Sequence, residues 1–265
     1  MYLFLIDNQE SEKISFRIGN INTNAIEGIL AKETSAKQKF LSECIGTFLL
    51  VFIACGSAVY TDFEITPAVL AGGLIVTALV YAFQKISGAH FNPVVSLPMF
   101  ILRKITLKEL FYYSGAQLLG AMLGSLSVVL CRKGKFDLLA STKIGKQLTD
   151  LNENKEIDAW CYISALFCEI FLTFILLLVV LGSTVQKNNY NNLTGIIIGL
   201  TLICLIYTGF NISGSSMNPV RSLAPAFFEA VIGGDSTAIK QIWIYIVGPF
   251  MGSGFATLVF LQINN

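Results

Sequence analysis

Charge is what this 265-residue chain has least of: 18 Lys and Arg with 17 Asp and Glu make up only 13% of it. A soluble domain carries about 25%. So little charge cannot clothe a globular surface in water. With 54% hydrophobic residues and a mean hydropathy of +0.67, the chain is read as residing in a lipid bilayer. Histidine is nearly absent, with His90 alone. No metal cluster stands out in the sequence, and no nucleophile or base does either. The six cysteines (Cys44, Cys55, Cys131, Cys161, Cys168, Cys204) show no ligand spacing and lie in or beside apolar runs. They read as buried thiols; the alternative is that Cys131 and Cys161, which bracket one polar loop, pair on an oxidising side. There is no basic run, and the net charge is +1, so nucleic acid is not expected as a partner. No cofactor is expected, and an enzyme is not expected either. The opening apolar run, residues 1–6, is too short for a signal-peptide core and has no basic region before it. Residues 1–37 are expected to be a polar tail.

What the chain has is six long apolar segments, near 40–60, 67–84, 109–131, 159–182, 193–210 and 242–262. Each is long enough to span a bilayer as a helix. Between the third and fourth lies a polar stretch, 132–158, with six basic and five acidic residues. It is expected to be a long loop outside the bilayer. The termini are expected to be cytoplasmic. On that assignment ten Lys/Arg (Lys13, Arg17, Lys32, Lys37, Lys39, Lys85, Arg103, Lys104, Lys108, Lys187) lie inside and seven outside, leaving Arg221 within the membrane.

One pattern is written twice. Ser87-Gly88-Ala89-His90-Phe91-Asn92-Pro93-Val94-Val95-Ser96 and Ser213-Gly214-Ser215-Ser216-Met217-Asn218-Pro219-Val220-Arg221-Ser222 both read S-G-x-x-x-N-P-V-x-S. Asn92 and Asn218 are good N-caps, and Pro93 and Pro219 fit the first helical position, where no N–H is needed. Each copy therefore starts a helix of about 11 residues, or roughly 16 Å, near half of a ~30 Å hydrocarbon core. Each reads as a re-entrant loop plus half-helix, which is tolerated at membrane depth only in protein or along a water-filled cavity.

The repeat extends further. At an offset of 126, Glu43 meets Glu169, Thr47 meets Thr173, and Gly73 meets Gly199. At an offset of 132, Ala116, Gly120 and Gly124 meet Gly248, Gly252 and Ala256, both being small-xxx-small patterns. Three spans per half force the second half to run inverted, so the two half-helices enter from opposite sides and meet at the midplane. Two Asn amides and two helix N-termini there make a positive, donor-rich point that orients water and breaks a proton wire. A charge within the membrane is expensive, so Arg221, one turn into the second half-helix, reads as a filter on the outer side or as half of a structural ion pair. Glu43 and Glu169 read as acceptors for the re-entrant loops, or as proton carriers of a coupled transporter. His90 reads as a hydrogen-bonded wall residue on the inner approach, or as a pH-sensitive gate.

These residues together resemble the aquaporins, the major intrinsic protein family, over about 38–262. The resemblance implies an all-α membrane protein: an aquaporin-like inverted repeat of six transmembrane helices and two re-entrant half-helices. It implies a channel domain over 38–265, with a first repeat of about 40–131, the loop 132–158 and a second repeat of about 159–262. It also implies a homotetramer in the cell membrane, passing water and small neutral solutes while excluding protons and ions. Carried over by position, the family's outer filter falls on Gly72, Ile206, Ser215 and Arg221. Strict water channels usually have an aromatic at the first place and His at the second. Their loss here resembles a widened, archaeal- or tonoplast-like filter, as in members passing glycerol, urea, ammonia or hydrogen peroxide. Ser222 stands where glycerol facilitators typically have Asp, and that branch's long insertions are missing. Val94 and Val220 stand where the family mostly has Ala, and Ser215 where some relatives carry a mercury-sensitive Cys. The alternatives are a poorly conducting junction or structural protein of this fold, and an ion-coupled secondary transporter.

Overall fold

Side-chain caps, two of them followed by proline, set where four of the helices start. The computed structural model describes residues 34–152, 156–185 and 191–264. Among these there are nine α-helices and no strand: α1 (Ala36–Tyr60), α2 (Ile65–Ser87), α3 (Pro93–Ile101), α4 (Leu107–Cys131), α5 (Lys146–Asp150), α6 (Ala159–Thr184), α7 (Thr194–Ser213), α8 (Pro219–Val231) and α9 (Thr237–Asn264). Asp158 caps α6 by accepting from the Cys161 N–H. Thr106 and Glu109 form a reciprocal capping box at α4. Asn92 and Asn218 cap α3 and α8, with proline at the first helical position of each.

Six of these helices are long and apolar enough to cross a membrane: α1, α2, α4, α6, α7 and α9. The two short ones between spans, α3 and α8, are the half-helices. Helix α1 begins at Ala36, slightly before the predicted tail ends. The tail itself, up to residue 33, lies outside the described residues, as do Lys13, Arg17, Lys32 and Lys187 of the orientation argument.

The two halves repeat one packing scheme. In the first, α4 packs on α1; in the second, α9 packs on α6; α2 and α7 meet between them. The small-residue stripes lie in these contacts. A Cβ on Gly120 would sit 2.2 Å from the Cys44 carbonyl oxygen, and one on its mate Gly252 would sit 2.3 Å from that of Ile170. Only glycine lets the backbones approach this closely. The face pointing away from these contacts carries exposed apolar residues such as Phe111, Leu130, Phe167 and Leu258, as lipid-facing helices require.

Candidate functional site

The centre of the molecule is built from loops with an unfavourable backbone. Ala89 (φ 54°) and Phe91 (φ 51°) lie in the left-handed region, and so do their repeat mates Ser215 (φ 49°) and Met217 (φ 51°). Each such residue costs about 1–3 kcal/mol and persists only where its surroundings hold it. What holds them is a buried carboxylate under each loop. Glu43 accepts from the N–H of His90 (3.0 Å) and Phe91 (2.7 Å), from Ser87 Oγ (2.6 Å) and from Gln117 Nε2 (2.8 Å). Glu169 accepts from the N–H of Ser216 (2.8 Å) and Met217 (2.8 Å) and from Ser213 Oγ (2.7 Å). Both carboxylates are wholly buried. Pro249 stands where Gln117 stands in the first half, so Glu169 lacks the fourth donor.

The two loops are then tied to each other. Asn92 Nδ2 donates to the Met217 carbonyl (2.7 Å), and Asn218 Nδ2 donates to the Phe91 carbonyl (3.0 Å). Each Oδ1 caps its own helix, accepting from Val94 N (3.1 Å) and Arg221 N (3.4 Å) respectively. An amide has two N–H groups. One per asparagine is therefore committed to the opposite loop, and one remains. The cross-repeat bonds thus leave two of the four amide N–H groups for the lumen. Val94 and Val220 are buried behind the motifs, and the Val94 carbonyl accepts from Ser253 Oγ on α9 (2.7 Å).

Both asparagines line a cavity of about 490 Å³. It extends from Gln84, Lys104 and Thr184 at one end to Gly72, Ile206, Ser215 and Arg221 at the other. A second cavity of about 490 Å³ continues on the far side, walled by residues 140–146 and Phe63. The two share Ala54, Gly72, Ile206, Ser215 and Arg221 in their walls. The four residues assigned to an outer filter thus come together at one level, with Ala54 as a fifth. Nothing in the repeat pattern marked Ala54, a small residue in an apolar helix. Ile206 leans towards Gly72: a Cβ there would be 3.3 Å from Ile206 Cδ1, so the isoleucine fills part of the space that glycine leaves. Ser215 Oγ donates back to the Ile206 carbonyl (3.2 Å).

Arg221 Nη1 donates to the Ala140 carbonyl (2.8 Å). Among the described residues no carboxylate lies within ion-pair distance of its guanidinium, so the ion-pair alternative has no partner here. Ala140 belongs to the stretch expected as a loop outside the bilayer. That stretch lies along the mouth, and seven consecutive residues of it are anchored. Leu139 N and Ser141 Oγ donate to Glu229, Ala140 O accepts from Arg221, and Thr142 Oγ1 donates to Ser222 Oγ. Lys143 pairs with Asp235 (2.6 Å) and Glu229 (3.2 Å), Ile144 N donates to Gln241, and Gly145 N to the Ile212 carbonyl. Burial opposes charge on Lys143, but the hydrogen bond to Asp235 and the two nearby carboxylates outweigh it and hold the ammonium above the usual lysine range. The hydrogen bond from Lys143, with those from Thr237, holds the Asp235 carboxyl well below the usual carboxylate range. Glu229 escaped sequence reasoning, although a lone acid in an apolar half-helix was a signal that could have found it.

His90 lies on the wall of the first cavity. Its Nδ1 pairs with Ser96 Oγ (3.0 Å), and its ring sits edge-on to Tyr113 (5.1 Å). The repeat mate is Ser216, whose Oγ donates to the Asn218 carbonyl (2.9 Å). All six cysteines are free; Cys161 Sγ faces the Leu148 carbonyl and is not bonded to Cys131. No group of three or more His, Cys, Asp or Glu that could hold a metal occurs among the described residues.

Comparison with known proteins agrees with this fold. The family model described as "Major intrinsic protein" matches residues 30–260. A protein of Arabidopsis thaliana named "Probable aquaporin NIP4-2" is 36% identical over 220 residues, covering 81% of this chain and 70% of that one. The "Glycerol uptake facilitator protein-like 6" of Lactiplantibacillus plantarum is 34% identical over 216 residues, covering 82% of this chain and 93% of that one. Among solved structures, the aquaglyceroporin of Plasmodium falciparum superimposes with a TM-score of 0.70 at 27% identity, covering 84% of this chain and 95% of that one.

Proposed function

The chain belongs to the major intrinsic protein family, and from that premise we propose that it is a passive channel for water and small uncharged solutes that excludes protons and ions. It is a multi-pass membrane protein with six helices able to span. Members of this family are channels rather than enzymes. The finer reading is that glycerol passes besides water, with urea, ammonia and hydrogen peroxide as further candidates.

The observation that carries this reading is the pair of crossed asparagines on a cavity wall. Asn92 and Asn218 each reach the opposite loop with one N–H and have one left. A water passing them accepts with its oxygen and points its hydrogens outward on both sides, which interrupts a proton wire. Both half-helix N-termini add positive potential at the same depth and repel cations. Further along, Arg221 repels cations and donates hydrogen bonds, while Gly72, Ile206 and Ser215 set width and polarity. Pro93, Pro219, Val94 and Val220 keep the two helix starts in contact. His90 serves as a neutral, hydrogen-bonded wall residue.

A coupled transporter is less well supported. Glu43 and Glu169, the candidate proton carriers, already accept four and three hydrogen bonds, and those bonds hold the strained loops in place. We place the protein in the cell membrane as a homotetramer with cytoplasmic termini and one passage per subunit. The test is light scattering from reconstituted vesicles after water, glycerol and urea shocks. Water flux above that of empty vesicles, with glycerol following and no proton leak, is expected. Flux that saturates and needs an ion gradient would replace this reading with a transporter, and negligible flux from folded protein with a structural role.

A further inference from the structure

Three loops in this molecule share one construction, and only two of them carry the repeated motif. In each, alternate non-glycine residues sit in the left-handed region: Ala89 and Phe91, Ser215 and Met217, and also Leu138 (φ 54°) and Ala140 (φ 56°). In each, a buried glutamate accepts a main-chain N–H from between or beside them. Under the first two these are Glu43 and Glu169; under the third it is Glu229, whose Oε1 accepts from Leu139 N at 2.6 Å. Glu229 is 1% exposed. Its other oxygen takes Ser141 Oγ (2.5 Å) and Lys143 Nζ (3.2 Å). Glu229 therefore grips residues 139, 141 and 143, while the carbonyl between the first two, that of Ala140, receives Arg221 (2.8 Å).

We propose that Glu229 is a positioning residue for the outer filter: by clamping Leu139, Ser141 and Lys143, it fixes the Ala140 carbonyl that holds the Arg221 side chain against the wall. The proposal rests on the channel reading above. Glu229 has no acidic counterpart in the first half, where Arg103 stands at the matching distance, just as Arg221 is matched by Val95. The carboxylate and the guanidinium are thus additions to the same half, joined through one peptide unit. Without the clamp, the strained backbone at Leu138 and Ala140 relaxes and the carbonyl leaves its place. Arg221 then moves in the lumen, and a solute as wide as glycerol is obstructed more than water.

The experiment is a double-mutant cycle on vesicles, reading the glycerol-to-water permeability ratio for wild type, Glu229→Ala, Arg221→Ala and the double variant. Glu229→Ala should lower the ratio at least about threefold, the low end of coupling within one hydrogen-bond network, and should do nothing further when Arg221 is already Ala. Glu229→Gln, which keeps one acceptor oxygen and the shape, should restore most of the ratio. Amide exchange at Leu139 should rise about tenfold in Glu229→Ala, the loss of one buried hydrogen bond. An unchanged ratio in folded Glu229→Ala, or an equal drop in the Arg221→Ala background, overturns the proposal. If Glu229→Ala does not fold, Ser141→Ala, which removes one of the clamped donors, carries the same comparison. If wild-type vesicles pass no water, the channel reading fails by itself, and unchanged exchange at Leu139 overturns the clamp.

Discussion

Glu43 and Glu169 do the same task with unequal help, and that inequality is measurable. Glu43→Ala strands the N–H groups of His90 and Phe91 in a fully buried site. Ser87 Oγ still has Ser42 Oγ (3.0 Å) to turn to, and Gln117 Nε2 still has Ser96 Oγ (3.1 Å). Two stranded main-chain donors at about 1–3 kcal/mol each give a loss of about 4 kcal/mol. In a chain of this size that lowers the unfolding midpoint by roughly 8–16 °C. Glu43→Gln is milder. Its oxygen can serve Ser87 and His90, while its NH₂ points at Gln117, whose Oε1 has no partner and is free to turn and accept. Only Phe91 N is lost, so about 1–2 kcal/mol is expected. At the equivalent position Glu169→Gln has Pro249 where that glutamine would be. Its new amide finds no such acceptor, and the loss should exceed that of Glu43→Gln. The assay is thermal unfolding of the purified protein in detergent, followed by fluorescence of Trp160 and Trp243, with water flux measured on the same preparations. Glu43→Ala unfolding within about 2 °C of wild type, or Glu43→Gln proving worse than Glu169→Gln, would refute the reasoning.

Other outcomes follow from the same geometry. Arg221→Val should leave water flux measurable and admit protons or cations more readily; unchanged selectivity in a proton-leak assay would remove Arg221 from the filter. Ile206→Ala should take away the side chain leaning on Gly72 and raise glycerol permeation about tenfold relative to water, as measured by light scattering. Gly120→Ala forces a methyl against the Cys44 carbonyl and should cost about 1–3 kcal/mol in thermal unfolding, whereas Gly115→Ala, with open space around it, should be close to neutral. The Lys143–Asp235 pair should hold its segment steadily from about pH 5 to about pH 9. Asp235, with a depressed value, contributes stability above the ordinary carboxylate range and loses it only as pH falls through its own lower value. Lys143, with a raised value, contributes below the ordinary lysine range and loses it only as pH rises beyond that. Protection factors of the 139–145 amides that step within this window would contradict the assignment.

The half-helices were legible because Asn followed by Pro encodes a cap and a start in two adjacent letters. The glutamates were legible because a carboxylate in an apolar run needs donors, and the nearest unsatisfied donors were the strained loops. The small-residue stripes were legible by their spacing alone. The wall formed by residues 139–145 was not. Its anchors are Glu229, Arg221 and Ser222 on α8, Gln241 on α9, the Ile212 carbonyl on α7 and Asp235 between helices, and half of its own contacts are made by main-chain atoms that carry no sequence signature. A polar, mixed-charge stretch looks the same whether its charges meet water or each other. The asparagine donors are a related case: a residue type states how many hydrogens it has, and only geometry states where they go.

The crossed bonds at the centre join residues 125 and 127 positions apart. Neither half of the translated polypeptide can complete its own midpoint, because each borrows an oxygen from the other. During synthesis the first three spans enter the bilayer long before Met217 leaves the ribosome. For that interval Asn92 has no distant acceptor, and the Phe91 oxygen no distant donor. The centre therefore closes only after the second half has been made, and a chain truncated before residue 217 lacks both crossed contacts.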